Sequence, residues 1–312
     1  MASPEHFWNT RYASLRYGIV WIAFAWMRLL VRLPFAWQLR FGKWCGRLAR
    51  RVARKRARIA HQNLRTCFPQ MAAKEIEALV AAHFEALGAS IVEMAMGWYG
   101  SEQTIRQRVR IQGEEHLRAA LDRGKGVILF SAHFTSSELI FPVLAPLCPR
   151  LSGMYKKQRN PLMNEVMNAG RGRSADFLFA KDNVRDMLRE LKRNSVVWYA
   201  SDQSYAGKSS ALIPFFGEPA MTNTAISRIA RSTGAAVLPY YCRRLEDDTY
   251  VATIGAPLDG IPSEDAAADV LRLTQDLEAF ISTCPEQYWW IHKRFKGRPA
   301  PYPDIYGRGE QA

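Results

Sequence analysis

Residues 126–140 read Gly126-Val127-Ile128-Leu129-Phe130-Ser131-Ala132-His133-Phe134-Thr135-Ser136-Ser137-Glu138-Leu139-Ile140. Val127 to Phe130 form a short unbroken apolar run, the pattern of a strand buried on both faces. A helix is expected to follow from about Thr135. Strand and helix patterns alternate on both sides of this stretch. Further strands are predicted at Leu151 to Tyr155, Phe177 to Phe179, Val196 to Tyr199 and Ala236 to Tyr241. Helical spacing runs through residues 73–97, recurs near 161–170, 182–193 and 222–233, and returns over roughly 263–283. The alternation predicts an α/β fold, one domain with a central mixed sheet flanked by helices.

The chain has 312 residues, 48% hydrophobic and 23% charged, which excludes a disordered or fibrous protein. No uncharged apolar run is long enough for repeated membrane crossing, so a polytopic membrane protein is excluded too. The net charge of +14 is concentrated at one end. Between Glu5 and Glu75 there is no acidic residue but there are 15 Lys and Arg, so the rest of the chain is nearly neutral. Five scattered cysteines, Cys45, Cys67, Cys148, Cys242 and Cys284, form no Cys-x-x-Cys pair. They suggest reduced thiols facing the cytoplasm, with neither a disulfide framework nor a zinc site.

The basic end is also apolar. Residues 17–27 (YGIVWIAFAWM) carry no charge, and Trp8, Trp21, Trp26, Trp37 and Trp44 all lie in the first 44 residues. Tryptophan favours the headgroup boundary of a bilayer. Arg28 and Arg32 share a helix face and can snorkel to lipid phosphates. The apolar run is shorter than the roughly 20 residues a span requires, so an interfacial or tilted anchor is expected. Pro34 breaks it, and ten basic residues follow between Arg40 and Arg65. This predicts a membrane-anchoring helix over residues 1–35, a basic amphipathic segment over 36–70, the body over 71–298 and a Pro/Gly-rich surface tail over 299–312. Inner-membrane phospholipid is the expected partner, with the body on the cytoplasmic side. No RNP, Cys/His-finger or helix-turn-helix signature supports nucleic acid.

The chemistry is expected in the opening stretch. If His133 occupies the strand-to-helix turn, its imidazole stands at the carboxyl end of a strand, where open α/β sheets place their sites. Glu138 lies five residues on, about 140° round an ideal helix, so the two meet only if the histidine precedes the helix. A carboxylate on one ring nitrogen would set the tautomer and leave the other to take a proton from a hydroxyl. No second histidine at ligand spacing supports a metal, and Ser131, Thr135, Ser136 and Ser137 suit helix capping better than nucleophilic attack.

His133 and Glu138 resemble the His-x4-Asp/Glu motif of the glycerolipid and lysophospholipid acyltransferase superfamily. Over nearly its whole length the chain resembles the late acyltransferases of lipid A biosynthesis, the lauroyl and myristoyl transferases. The resemblance rests on Arg159-Asn160-Pro161-Leu162, Gly170-Arg171-Gly172-Arg173 and Trp198-Tyr199-Ala200-Ser201-Asp202-Gln203. It continues in Ile213-Pro214-Phe215-Phe216-Gly217 with Thr222 and Thr224, Leu238-Pro239, and Pro285 to Lys296 (PEQYWWIHKRFK). Glu at the last motif position agrees with the lipid A branch.

The resemblance implies a glycerolipid-acyltransferase-like domain that transfers an acyl chain from acyl-carrier protein to a hydroxyl of a lipid A precursor at the cytoplasmic face of a bacterial inner membrane. His133 would be the base and Glu138 its support, without metal, cofactor or acyl-enzyme; the acyl-carrier protein is a co-substrate. Arg159, Asn160, Arg171 and Arg173 would meet the anionic acceptor, and Asp202 and Gln203 would line the pocket. A different lipid or glycolipid acceptor, and a non-catalytic membrane-binding homologue, stay open as alternatives.

Overall fold

The computed structural model of the chain describes residue 12 and residues 14–307. His6, Trp8 and the last five residues of the tail lie outside the described residues. The N-terminal third is helical: α1 (Gly18–Leu30), α2 (Phe35–Val52), α3 (Arg54–Cys67), α4 (Ala73–Tyr99) and α5 (Glu102–Arg108). Strands and helices then alternate through β1 (Val109–Gln112), α6 (Glu114–Asp122), β2 (Val127–Ser131), α7 (Ile140–Leu144), β3 (Leu151–Tyr155), α8 (Pro161–Arg171) and β4 (Phe177–Ala180). They continue with α9 (Val184–Lys192), β5 (Val196–Ala200), β6 (Ser210–Phe215), β7 (Glu218–Asn223), α10 (Ala225–Thr233), β8 (Ala236–Arg244), β9 (Tyr250–Ile254) and α11 (Ala266–Thr283).

Seven strands form one sheet in the order β1-β9-β8-β2-β5-β3-β4, parallel throughout except for the β8–β9 pair. The expected mixed sheet is therefore present, and its centre is the quoted run. Alternate side chains of that run serve opposite faces. Ile128 and Phe130 join one core with Val197, Tyr199 and Val237, while Val127 and Leu129 join another with Val196, Trp198 and Leu238. Burial on both faces is why these strands read as continuous apolar runs. β6 and β7 stand apart as a hairpin whose two-residue turn, Phe216-Gly217, has positive φ at both positions (50° and 80°).

Three expectations shift. The helix predicted from Thr135 begins as a 3₁₀ turn over Ser137–Leu139 and becomes α7 only at Ile140. Residues 222–223, placed in a helix, belong to β7, and α10 starts at Ala225. The apolar N-terminal helix exists as α1, but at 13 residues it is too short to span. Among the described residues the helix long and apolar enough to cross a membrane is α4, not an N-terminal one, and 61% of its most apolar stretch is buried inside the body. α4 is a core helix: Ile76, Val80 and Phe84 pack on one face of the sheet, and Ala89, Val92 and Met96 on the other side's core.

What α1 and α2 do display is two exposed apolar stripes. Ile19, Ile22, Trp26, Leu29 and Leu33 follow one another at helical spacing, as do Trp37, Phe41, Trp44, Leu48 and Val52. Trp26 stacks on Phe41 across the two helices, with ring centroids 6.3 Å apart, so the stripes join into one patch. Gly42, Gly46 and Gly88 let α2 lie directly on α4; a Cβ on Gly88 would stand 2.0 Å from the Gly42 carbonyl oxygen. The basic α3 is tied to the far end of the chain through Asn63, whose Nδ2 donates to the Trp290 (2.6 Å) and His292 (2.7 Å) carbonyls.

Candidate active site

β2 and β5 are parallel neighbours in a register that pairs Val127 with Val196 and Ser131 with Ala200, an offset of 69 residues. Both strands stop, and two residues beyond each end stand His133 and Asp202, again 69 apart. The register thus carries past the sheet and sets the two side chains face to face. His133 Nδ1 lies 2.7 Å from Asp202 Oδ1, the His133 backbone N–H donates to Oδ2 (3.2 Å), and the Tyr288 hydroxyl donates to the same oxygen (3.1 Å).

A carboxylate only accepts, so Nδ1 carries the proton and Nε2 of the neutral ring presents its lone pair. The turn is clamped by the C-terminal segment: Phe134 bridges Tyr288, Thr135 N–H donates to the Gln287 carbonyl and Trp289 N–H to the His133 carbonyl. Asp202 is buried, whereas the His133 side chain keeps 35% of its exposure and is reachable from outside.

Charge reinforces the pairing. Burial alone would depress the His133 pKa, but the Asp202 charge and hydrogen bond outweigh it and leave it raised; Glu138 adds to the rise and Arg171 opposes it. Burial pushes the Asp202 carboxyl upward, yet His133 and the more distant Arg294 hold it down at about 2. Arg294 is itself buried, its Nη atoms donating to the Met221 carbonyl (3.2 Å) and the Thr222 hydroxyl (2.7 Å), with Phe215 beneath its guanidinium.

Glu138 does not make the ring hydrogen bond expected of it. Its Oε2 accepts from Trp98 Nε1 (2.9 Å) and Arg171 Nε (3.0 Å), and Oε1 accepts from Arg171 Nη2. The 3₁₀ turn aims Glu138 at α4 and α8, and Asp202 takes the place beside the imidazole. Glu138 and Arg171 form a half-buried bidentate pair, which strengthens both partners. Burial disfavours the Arg171 charge, but Glu138 more than restores it, so the pKa is raised.

Arg171 and Arg173 were expected to face the acceptor. Arg171 is committed to Glu138, and Arg173 Nη1 donates to the Trp98 carbonyl. Asn160 caps α8, its side-chain oxygen accepting from Met163 N–H (3.2 Å), ahead of Pro161 at the first helical position. Arg159 beside it is exposed, and Gln203 is half-buried next to Asp202. The sequence reading did not single out Tyr288 and Trp98, which hold the two carboxylates. It gave Asp202 only a pocket-lining part. One signal was available for it: Asp202 follows the end of its strand by the same two residues as His133 does.

Together, fold and geometry set a carboxylate-paired imidazole at the ends of adjacent strands of an α/β sheet, an arrangement chemically able to take up a proton. The chain belongs to the family of bacterial lipid A biosynthesis acyltransferases, whose match runs over residues 6–297. It is 33% identical over 293 residues to a lipid A biosynthesis lauroyltransferase of Escherichia coli K12, covering 93% of this chain and 95% of that one. It is 32% identical over 305 residues to the palmitoleoyltransferase of the same organism (97% and 99% covered), and 27% identical over 290 residues to its myristoyltransferase (91% and 88% covered).

Proposed function

We propose that this chain is a membrane-associated O-acyltransferase of lipid A assembly, within the wider glycerolipid-acyltransferase superfamily, that moves a fatty acyl chain from acyl-carrier protein to a hydroxyl of a lipid A precursor. The observation that carries this reading is the free Nε2 of His133, held ready by the Nδ1–Asp202 hydrogen bond in a chain of this family.

In the proposed step Nε2 accepts the proton of the acceptor hydroxyl as its oxygen attacks the thioester carbonyl. The new C–O bond forms, the C–S bond breaks, and imidazolium returns the proton to the departing thiolate. Asp202 stabilises the imidazolium, the protonated form that its negative charge favours, which makes the neutral ring a stronger base. Glu138 supports the reaction from one step away, by its charge and by holding Arg171 beside the site. Arg159, exposed, and the half-buried Gln203 are the candidates for the phosphate of the anionic acceptor. The reading invokes no metal or cofactor, because the acyl-carrier protein is a co-substrate.

The apolar stripes of α1 and α2 and the five free thiols support a place at the cytoplasmic face of the inner membrane. The test is mass spectrometry of lipid A from a strain lacking this protein, complemented with wild type or with His133→Ala. The expected result is one acyl chain missing, restored by wild type alone. Identical lipid A in all three strains would overturn the assignment.

A further inference from the structure

The N-terminal helices border a recess that His133 does not line. A cleft of about 770 Å³ opens where α1 turns into α2 and meets the ends of α4 and α5. Arg28, Arg32 and Arg108 line it, and among the described residues no Asp or Glu does. Arg28 lies 5.1 Å over the Tyr99 ring and Arg108 4.0 Å over the Phe35 ring, so both guanidiniums are propped on aromatic faces and not on carboxylates. α2 begins in the same wall, with no acidic residue and no side-chain cap in its first turn. The last turns of α1 and α4 also reach the cleft, so the three guanidinium charges set its sign.

A second observation points to a ligand. Gln38 lines the cleft and is only 5% exposed. Its Nε2 donates to the Leu33 carbonyl at 2.7 Å, which fixes the amide orientation, and its buried Oε1 has no hydrogen-bond partner. A buried acceptor left unmatched costs roughly 1–3 kcal/mol, so it calls for a donor. The cleft therefore offers cations for an anion and one acceptor for an O–H or N–H group.

Its surroundings decide the source of that anion. Leu29, Leu33 and Trp37, exposed members of the two apolar stripes, flank the α1–α2 turn. An anion reaching the cleft alongside that patch arrives attached to acyl chains. We infer that the cleft is a binding site for the headgroup of an anionic phospholipid, its phosphate taken by Arg28, Arg32 and Arg108 and a headgroup hydroxyl or ammonium by Gln38 Oε1. The inference rests on the membrane association proposed above and adds to it a specific headgroup site. On α4 the cleft is faced by Met96 and Tyr99, while Trp98 between them reaches Glu138. A bound lipid would therefore seat the helix that supports the reaction centre.

The test is sedimentation of the purified full chain with vesicles of phosphatidylcholine alone or with phosphatidylglycerol added. It is run at about 0.5 M salt, where screening over about 4 Å suppresses diffuse attraction. Wild type is expected to prefer the phosphatidylglycerol vesicles by at least about tenfold. Arg32→Gln with Arg108→Gln should reduce that preference to about twofold, and Arg51→Gln with Arg54→Gln, an equal charge loss on exposed positions elsewhere, should leave it in place. Binding to neutral vesicles should not change in either variant. If Arg108→Gln disturbs folding, as read by the thermal midpoint, exposed Arg32→Gln alone carries the comparison. Equal loss in both variants, or in neither, overturns the site. Equal wild-type binding to the two vesicles overturns it while membrane association stands. No binding to either overturns both.

Discussion

His133 and Asp202 work as one group, and their pH behaviour follows from the pairing. In the proposed step Nε2 must be unprotonated, so activity is expected to rise as pH passes the His133 pKa. Asp202 raises that pKa against the pull of burial. Asp202→Asn should therefore cost on the order of 10²- to 10⁴-fold in kcat/KM and move the acidic limb of the pH profile to lower pH. An unchanged limb would mean that the carboxylate does not govern the base. Glu138 makes a different prediction, because its partner is Arg171. Glu138→Gln leaves a half-buried guanidinium without its counter-charge and should lower stability by about 1–3 kcal/mol. Adding Arg171→Met should recover most of that in denaturant unfolding. If activity stays lost in the refolded double variant, the pair serves the reaction as well as the fold.

At the scale of elements, α2 and α4 touch backbone to backbone. Gly88→Ala would drive a methyl into the Gly42 carbonyl, and a Cβ on Gly46 would meet the Phe84 carbonyl oxygen at 2.0 Å. Unfolding of Gly88→Ala should show a loss of about 1–3 kcal/mol, while Gly124→Ala, where a Cβ meets nothing within 4 Å, reports only its left-handed backbone (φ 66°). Such contacts are not legible in a sequence, because a glycine in a helix reads as a weak helix former. Five strands were legible: β2, β5 and β8 because burial on both faces writes itself as an apolar run, and β3 and the edge strand β4 because short apolar stretches mark them. β1 (VRIQ), β9 and the β6–β7 hairpin were not: β1 is short and only partly buried, and Pro214 and Pro219 interrupt the hairpin's pattern. Glu138 was visible as a neighbour of His133 in sequence. Asp202 became its neighbour in space through sheet register, which spacing along the chain does not record.

For the whole molecule, charge and apolar surface share one end. Lys43, Arg47 and Arg50 pair with Asp248, Glu85 and Glu77, while Arg40, Arg51, Arg54 and Arg58 extend from the same arm as exposed side chains. An acidic carrier protein docking there should bind by screened attraction. Steady-state assays should show the KM for acyl-carrier-protein donor rising about tenfold between 0.05 and 0.5 M salt, and the KM for a short acyl-thioester lacking the protein changing less than about twofold. A parallel rise in both would place the salt effect elsewhere than donor docking. The in-register exit of β2 and β5 has a longer reach. The His133–Asp202 pair is spaced by sheet hydrogen bonds, not by the crossover between the two strands, which contains α7, β3, α8, β4 and α9. Insertions and deletions in the loops of that crossover leave the distance between imidazole and carboxylate untouched. Descent can therefore reshape what the protein grips, generation by generation, around a chemical centre that never has to be reinvented.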